Sequence, residues 1–326
     1  MSDSCVRGFR RLGWYGRVLG TDLPLVVRLP EVAGPIDVTL RRIDSPIPSA
    51  GEEKTLRPIF TAEPRPGGGP WLEAFDLEGR LILRFAGHAE FEVGLDRIDF
   101  RLADGSPDET EALFLGLVSA LWLERSGSLC LHGAAVAAPS GGIGFLGFNR
   151  AGKSTLAASF LGAGIPLLTD DLLAVDFDES GRVLVQPGFP QLRLWPESAE
   201  GLIQNVRELE PVHPGFEKRR VPVGAAGLGA FHESSAELRA LLLPRRQGSP
   251  GSEIEIQRLT PREAAIELIR HSFLGSLGEA AVGAGRRFER LTAAAERIAV
   301  FRLDYPDGLQ YLPGVREAIL ERLKTL

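Results

Sequence analysis

Apolar and polar positions in the N-terminal third of the chain follow the short-period pattern of β-strands. Residues 91–93 alternate apolar with polar side chains, and other short runs have the apolar, β-branched composition of strands. The predicted strands lie at 25–29, 38–40, 81–85 and 91–93. Proline-rich stretches at 45–48 and 63–70 predict loops between them. The pattern therefore predicts a β-rich N-terminal domain over residues 1–105.

The pattern changes after this region, where helix-start signals and helical spacing take over. Residues 106–109 place Ser at the cap, Pro at the first helical position and Glu three residues after the cap, which predicts a helix through about residue 124. A second capping box lies at 260–263. From residue 129, short apolar strands alternate with helices, as in α/β domains. We therefore predict an α/β domain over residues 106–326.

A glycine-rich segment inside this domain carries the first chemical signal. Residues 147–154 match the pattern G-x-x-x-x-G-K-[ST], between a predicted strand at 143–146 and a predicted helix. The glycines let backbone N–H groups point at phosphate oxygens, and the helix N-terminus adds positive potential. Lys153 can reach the β- and γ-phosphates, and Ser154 can bind the magnesium ion that they carry. The predicted nucleotide-binding residues are Gly147, Asn149, Arg150, Ala151, Gly152, Lys153, Ser154 and Thr155.

Two adjacent carboxylates, Asp170 and Asp171, end the next predicted strand. Ligands of α/β proteins bind at such strand ends. Phosphoryl transfer needs one carboxylate for magnesium and another to accept the proton of the attacking hydroxyl. An isolated Asp-Asp is commonly a solvated turn, but its place one helix after a phosphate loop favours a function in phosphoryl transfer.

Further candidates lie on either side of these motifs. His132 precedes the loop strand by one hairpin, although a lone histidine is usually structural. The basic run 218–220 has the composition of a solvated face, or of a segment that closes over the γ-phosphate and neutralises charge in the transition state. Arg193 and Trp195 are weaker candidates for substrate contact, since a tryptophan in such a position more often belongs to the core.

His132-Gly133, the loop and Asp170-Asp171, in this order and spacing, resemble the catalytic domain of the bacterial HPr serine kinase/phosphorylase family. The resemblance covers residues 128–178, and the remainder is similar to a divergent branch that includes HPr-kinase-like proteins found with lasso-peptide biosynthesis. It implies a P-loop kinase domain of the HPr kinase and phosphoenolpyruvate carboxykinase type, with the β-rich domain added. Because related kinases form oligomers, the resemblance also makes a homo-oligomer possible.

The resemblance further implies the use of ATP and Mg²⁺ to phosphorylate a hydroxyl. Asp170 would be the general base, Ser154 and Asp171 would bind Mg²⁺, and the two aspartates could exchange these roles. Lys153 would bind the phosphates, and His132 would lie near the transferred group. Together with the basic run, the expected catalytic residues are Asp170, His132, Lys153, Lys218 and Arg219.

This sequence departs from the family at Thr155, where the bifunctional enzymes usually carry Glu. It also has no close counterpart of the segment that those enzymes use for the phosphorolytic reaction, so we expect a kinase without phosphorylase activity. The expected substrate is a Ser or Thr hydroxyl of a peptide or protein, such as a biosynthetic precursor peptide. The alternatives are a kinase of small-molecule hydroxyls and a nucleotide-dependent binding module with little turnover.

Composition limits the partners and the compartment. Hydrophobic residues make up 44% of the chain and charged residues 25%, as in soluble globular proteins. A net charge of −6 and a pI of about 5.6 argue against a broad nucleic-acid surface. The longest apolar stretch, 129–148, is interrupted by His132 and Pro139, and no signal peptide is recognisable. We therefore expect a cytoplasmic protein with neither a nucleic-acid partner nor a membrane span.

Overall fold

The chain forms two separate units in a computed structural model that describes residues 8–48, 56–64, 68–203, 209–212, 217–225, 227–248 and 253–326. The first unit comprises Met1–Gly127 together with Ser276–Arg287. The second comprises Ser128–Gly275 together with Phe288–Leu326. The division thus falls after Gly127, and not after residue 105 as the sequence pattern predicts.

The first unit is built on one mixed sheet. Its described strands are β1 (Arg10–Trp14), β2 (Arg17–Thr21), β3 (Val38–Arg42), β4 (Pro58–Thr61), β5 (Leu72–Leu77), β6 (Arg80–Phe85), β7 (Ala89–Val93) and β8 (Arg97–Leu102). They lie in the order β1-β2-β3-β8-β7-β6-β5-β4. The pairs β2–β3 and β3–β8 are parallel and the others antiparallel. Predicted strands at 38–40, 81–85 and 91–93 are therefore confirmed.

The predicted strand at 25–29 is wrong, because no strand forms there. The backbone N–H groups of Val26 and Val27 instead donate to the Glu111 carboxylate, at 2.6 Å and 2.9 Å. Residues 25–29 have the composition of a strand, but the backbone N–H groups of Val26 and Val27 bond to a side chain and not to a neighbouring strand.

The helix predicted from residue 106 belongs to the first unit. It comprises α1 (Pro107–Leu113), a π-helical turn (Phe114–Val118) and α2 (Ser119–Ser126), and both hydrogen bonds of the predicted capping box are present. The Trp14 ring lies 5.6 Å from the Phe114 ring and 5.3 Å from the Trp122 ring. This aromatic packing on β1 explains why the helix groups with the β-rich region.

The second unit is a mixed α/β structure. Its described strands are β9 (Leu129–Ala138), β10 (Gly141–Leu146), β11 (Leu167–Thr169), β12 (Leu172–Phe177), β13 (Val183–Val185), β14 (Gln191–Leu194), β15 (Arg219–Pro222), β16 (Ala236–Gln247), β17 (Glu255–Arg258) and β18 (Ala299–Pro306). The main sheet has the order β10-β9-β12-β13-β16-β18-β17, with β11 beside β9 and a parallel pairing of β10 with β16. The pair β14–β15 forms a separate antiparallel ribbon.

Helices connect these strands. The described helices after α2 are α3 (Lys153–Gly162), α4 (Pro196–Leu202), α5 (Pro261–Arg270), α6 (Gly275–Gly278), α7 (Ala284–Arg297) and α8 (Leu312–Leu323). Both hydrogen bonds of the capping box predicted at 260–263 are present at the start of α5. Among the described helices, none is both long and apolar enough to span a membrane.

Neighbouring residues of the central strands face opposite sides of the main sheet, because side chains alternate along a strand. Leu242 and Phe301 pack in a buried cluster with residues of α3 and α8. Leu241 and Val300, one position earlier, pack in a second cluster with residues of α5 and α7. The sheet therefore has helices on both faces, and its strand ends are left to carry loops.

Candidate active site

The glycine-rich loop lies between β10 and α3, as the sequence pattern predicts. Gly152 has φ +95°, and a Cβ on it would lie 2.8 Å from the Tyr305 hydroxyl. A Cβ on Gly147 would lie 2.8 Å from the Ala151 Cβ. Arg150 also has a positive φ, +67°. The loop therefore needs glycine at both ends, for space at Gly147 and for space and backbone conformation at Gly152.

Lys153 begins α3 and is only 7% exposed. Its Nζ donates to the carbonyl oxygens of Gly147 at 2.8 Å and Phe148 at 3.1 Å. Burial lowers its pKa to about 8, a shift that Asp170 opposes and Lys218 reinforces. The ammonium group thus lies in the curve of the loop, where a bound phosphate would be its natural counter-ion.

The two adjacent aspartates meet the loop at the end of β11. Asp170 Oδ1 accepts a hydrogen bond from the Ser154 hydroxyl at 2.7 Å, and its Oδ2 accepts one from the Arg193 backbone N–H at 2.8 Å. The Arg193 Nη1 donates to Asp171 Oδ2, also at 2.8 Å. Arg193, on β14, therefore positions both carboxylates.

The environment separates the pKa values of the two carboxyl groups. Burial raises the pKa of Asp170, and the neighbouring charge of Asp171 raises it further. Burial alone would also raise the pKa of Asp171. The electrostatic effects of Arg193 and His132 outweigh burial and hold the pKa of Asp171 below its usual value. Two carboxylates with pKa values pushed apart can perform different tasks at one pH.

His132 lies on β9 beside Asp171. Its Nδ1 is 3.1 Å from the Asp171 backbone oxygen and 3.6 Å from Asp171 Oδ1. Burial lowers the pKa of the imidazole, against the upward effect of Asp171. The structure thus places His132 next to Asp171. The sequence named both residues as candidates but did not specify this contact.

Trp195 links the loop to the basic run. The Arg150 guanidinium lies 4.4 Å from the centre of the indole ring, and Lys218 Nζ lies 5.7 Å from it. Arg219 does not line the region around the loop, and its Nη1 donates to the Leu209 carbonyl at 3.4 Å. We call the resulting concave region the phosphate cavity, and its lining residues are Arg150, Gly152, Lys153, Ser154, Thr155, Arg193, Leu194, Trp195 and Lys218.

The remaining predicted loop residues lie around this cavity without lining it. Asn149 is exposed, and Ala151 donates its N–H to the Phe148 carbonyl at 3.1 Å. Sequence reasoning missed His271, which follows α5 and is buried. Its carbonyl accepts the His132 N–H at 2.8 Å, and its ring lies 4.7 Å from the Phe148 ring. No local pattern marks this residue.

The donor set fits magnesium bound together with phosphates. Mg²⁺ prefers oxygen ligands and is usually bound through one or two carboxylates plus substrate phosphates. Ser154 and Asp170 supply such oxygens, and no group of three or more His, Cys, Asp or Glu suited to a metal is found in the described residues. Arg193 Nε is buried and has no hydrogen-bond partner among the residues that the structure describes, so it remains a donor for an anion.

No protein-family model matches the chain, and no curated protein matches it. Among solved structures, the chain is similar to the Hpr(Ser) kinase/phosphatase from Coxiella burnetii. The similarity covers 60% of this chain and 97% of that chain, with 14% sequence identity and a TM-score of 0.32.

Proposed function

We propose that this chain is an ATP-dependent kinase that transfers the γ-phosphoryl group to a Ser or Thr hydroxyl of a peptide or protein. The observation that carries the proposal is the 2.7 Å hydrogen bond between Ser154, on the phosphate loop, and Asp170, after the next strand. It joins a phosphate-binding loop to a buried carboxylate in a single site, and phosphoryl transfer needs both.

On the donor side, the phosphates of ATP fit the loop and the N-terminus of α3. Backbone N–H groups and the helix dipole favour anions there. Lys153 adds a buried cation, and Arg193 Nε adds an unpaired buried donor in the same cavity. Ser154 with one aspartate would hold Mg²⁺, which supplies charge neutralisation to the phosphates when bound. These groups favour the charge distribution of the transition state.

On the acceptor side, Asp170 is assigned as the general base. Its raised pKa makes it a better proton acceptor than an ordinary aspartate, while the lowered pKa of Asp171 keeps that carboxylate ionised. One observation favours the reverse assignment, since Ser154 contacts Asp170 and not Asp171. In that arrangement Asp170 would bind magnesium, and Asp171, beside His132, would accept the proton.

The two assignments differ in their dependence on metal concentration. Replacing the base with Asn should reduce the rate of transfer at every Mg²⁺ concentration, without changing the concentration needed for half-maximal activity. Replacing the metal ligand should raise that concentration. Measuring transfer against Mg²⁺ concentration for Asp170→Asn and Asp171→Asn therefore distinguishes them, and a raised Mg²⁺ requirement in Asp170→Asn would reverse the assignment.

The peptide or protein acceptor is supported by the resemblance of the motifs around His132, the loop and Asp170-Asp171 to HPr-kinase-like enzymes. The test is purified protein with Mg²⁺ and ATP labelled in the γ-phosphate, offered separate panels of peptides, proteins and hydroxylated metabolites. We expect label on Ser or Thr of a peptide or protein. Label confined to metabolites would replace this acceptor class, and ATP binding without any transfer would identify a binding module instead.

A further inference from the structure

A second cavity lies against the first turn of α3, next to the phosphate cavity. It has a volume of about 170 Å³. Gly152 and Thr155 line both cavities and form their common wall. The other lining residues of the second cavity are Glu197, Ser198, Arg246, Tyr305, Asp307, Gly308, Leu309 and Leu312.

The two cavities differ in charge. Lys153, Arg193 and Lys218 make the phosphate cavity cationic. In the second cavity, the positive charge of Arg246 is already engaged, because its Nη1 lies 3.2 Å from Asp307 Oδ1 and its Nη2 donates to the Arg150 carbonyl at 2.6 Å. Among the described residues that line this second cavity, no unpaired cation is therefore available to bind a phosphate.

The remaining groups of the second cavity suit a ligand with hydroxyl donors and an apolar ring. Glu197 is exposed in the first turn of α4 and makes no ion pair with any residue that the structure describes, so its carboxylate is available as an acceptor. Tyr305 contributes a hydroxyl that is protonated at neutral pH, and Leu309 with Leu312 contributes apolar surface. Six of the ten lining residues carry polar or charged side chains, so the two leucines form one apolar patch in a mainly polar cavity.

The first turn of α3 has hydroxyl groups that face in two directions from the common wall. Ser154 faces Asp170 on the metal side, whereas Thr155 Oγ1 donates to Ser198 Oγ at 3.1 Å on the side of α4. Gly152 and Thr155 therefore lie between the cavity that holds Lys153 and the second cavity.

We propose that this second cavity binds the nucleoside part of the nucleoside triphosphate, an inference that rests on the proposed function. A cavity of roughly 150 Å³ can hold benzene. The observed cavity is therefore large enough for one ring system, and the other part of the nucleoside lies at its mouth beside Glu197. The site would make affinity depend on the nucleoside as well as on the phosphates.

The test compares Mg²⁺-ATP with Mg²⁺-tripolyphosphate, which has the phosphates but no nucleoside. Glu197→Trp would fill the mouth of the cavity. Glu200→Trp is its matched control, since Glu200 is exposed on the same helix, does not line the cavity and loses the same charge. By charge alone both variants would bind anions slightly more tightly. We expect Glu197→Trp to bind ATP about tenfold or more weakly and tripolyphosphate as wild type does, and Glu200→Trp to bind both normally.

Calorimetry separates the failure of this inference from the failure of the proposed function. If Glu197→Trp and Glu200→Trp bind ATP equally well, or if wild type binds tripolyphosphate as tightly as ATP, the nucleoside site is overturned while the phosphate loop stands. Unchanged tripolyphosphate binding also shows that a variant is folded. If wild type binds neither ligand, the proposed function fails, and the nucleoside site fails with it.

Discussion

Lys153 should make phosphate binding depend on pH. Burial lowers its pKa to about 8, so its positive charge is present below that pH and is lost as the pH rises through it. A bound phosphate favours the charged form. We therefore expect the affinity for Mg²⁺-ATP to decrease between about pH 7 and about pH 9, measured by calorimetry.

Lys153→Ala is the control for this dependence. It should bind ATP more weakly at every pH, and its affinity should change little across the same interval because the titrating ammonium is gone. A wild-type affinity that stays constant, or a decrease that persists in Lys153→Ala, would show that another group is responsible.

Site residues were predictable from the sequence where they lie in one continuous segment. The loop from Gly147 to Ser154 is one continuous pattern, so its spacing alone places Lys153 at the start of α3. The contact of Arg193 with both aspartates depends on where β14 lies in the fold, and no local spacing encodes this. His271 reaches the site through a backbone hydrogen bond to β9, for which side-chain identity gives no signal.

At the scale of elements, the turn from β10 into α3 depends on Gly152. Gly152→Ala would force a side chain into a positive φ of +95°, with its Cβ 2.8 Å from the Tyr305 hydroxyl. A left-handed conformation costs a residue with a Cβ about 1–2 kcal/mol, and the close contact adds to this. We expect ATP affinity to fall by about tenfold or more.

Gly162→Ala is the matched control, because Gly162 ends the helix that Gly152 caps and a Cβ there would have nothing within 4 Å. It should bind ATP as wild type does. Equal binding by Gly152→Ala and Gly162→Ala would mean that the geometry of the loop does not limit nucleotide binding.

Helix starts were predictable because capping is local. The capping boxes at Ser106 and Thr260 form with both hydrogen bonds. Strand predictions were less secure, since a strand needs a partner that its own sequence does not specify. Residues 25–29 bond to Glu111 instead of a strand, and the β14–β15 ribbon joins segments that the sequence had treated as separate candidates.

At the scale of the whole molecule, the later segment Ser276–Arg287 belongs to the first unit, although the residues on either side of it belong to the second. A buried ion pair holds this segment there, with Arg287 Nε 2.6 Å from Glu124 Oε2 and both side chains at most 6% exposed. Glu124→Gln would remove the carboxylate charge that the buried guanidinium faces. We expect the free energy of unfolding to fall by about 3–5 kcal/mol, measured by urea denaturation.

A double variant tests whether the lost carboxylate charge is the cause. Replacing the pair with Glu124→Leu and Arg287→Met removes both charges and keeps apolar volume, so it should recover most of the lost stability. A double variant as unstable as Glu124→Gln would indicate that packing, and not charge, dominates at this position.

The two-part organisation was predictable from the change in hydrophobic pattern, but its boundary was not. The helix after residue 106 has the apolar positions of a core helix, which do not say which sheet it covers. The packing of Phe114 and Trp122 against Trp14 decides that question. The return of residues 276–287 to the first unit is likewise not indicated by any local pattern.

The most direct test of the account is phosphoryl transfer by Asp170→Asn, measured in single-turnover reactions with the acceptor found by labelling. Asp44→Asn is the matched control, because Asp44 is exposed and lies in the first unit, far along the chain from the loop. We expect Asp170→Asn to bind ATP but to transfer about 10²–10⁴-fold more slowly, and Asp44→Asn to match wild type. Transfer by Asp170→Asn at the wild-type rate would contradict the proposed site.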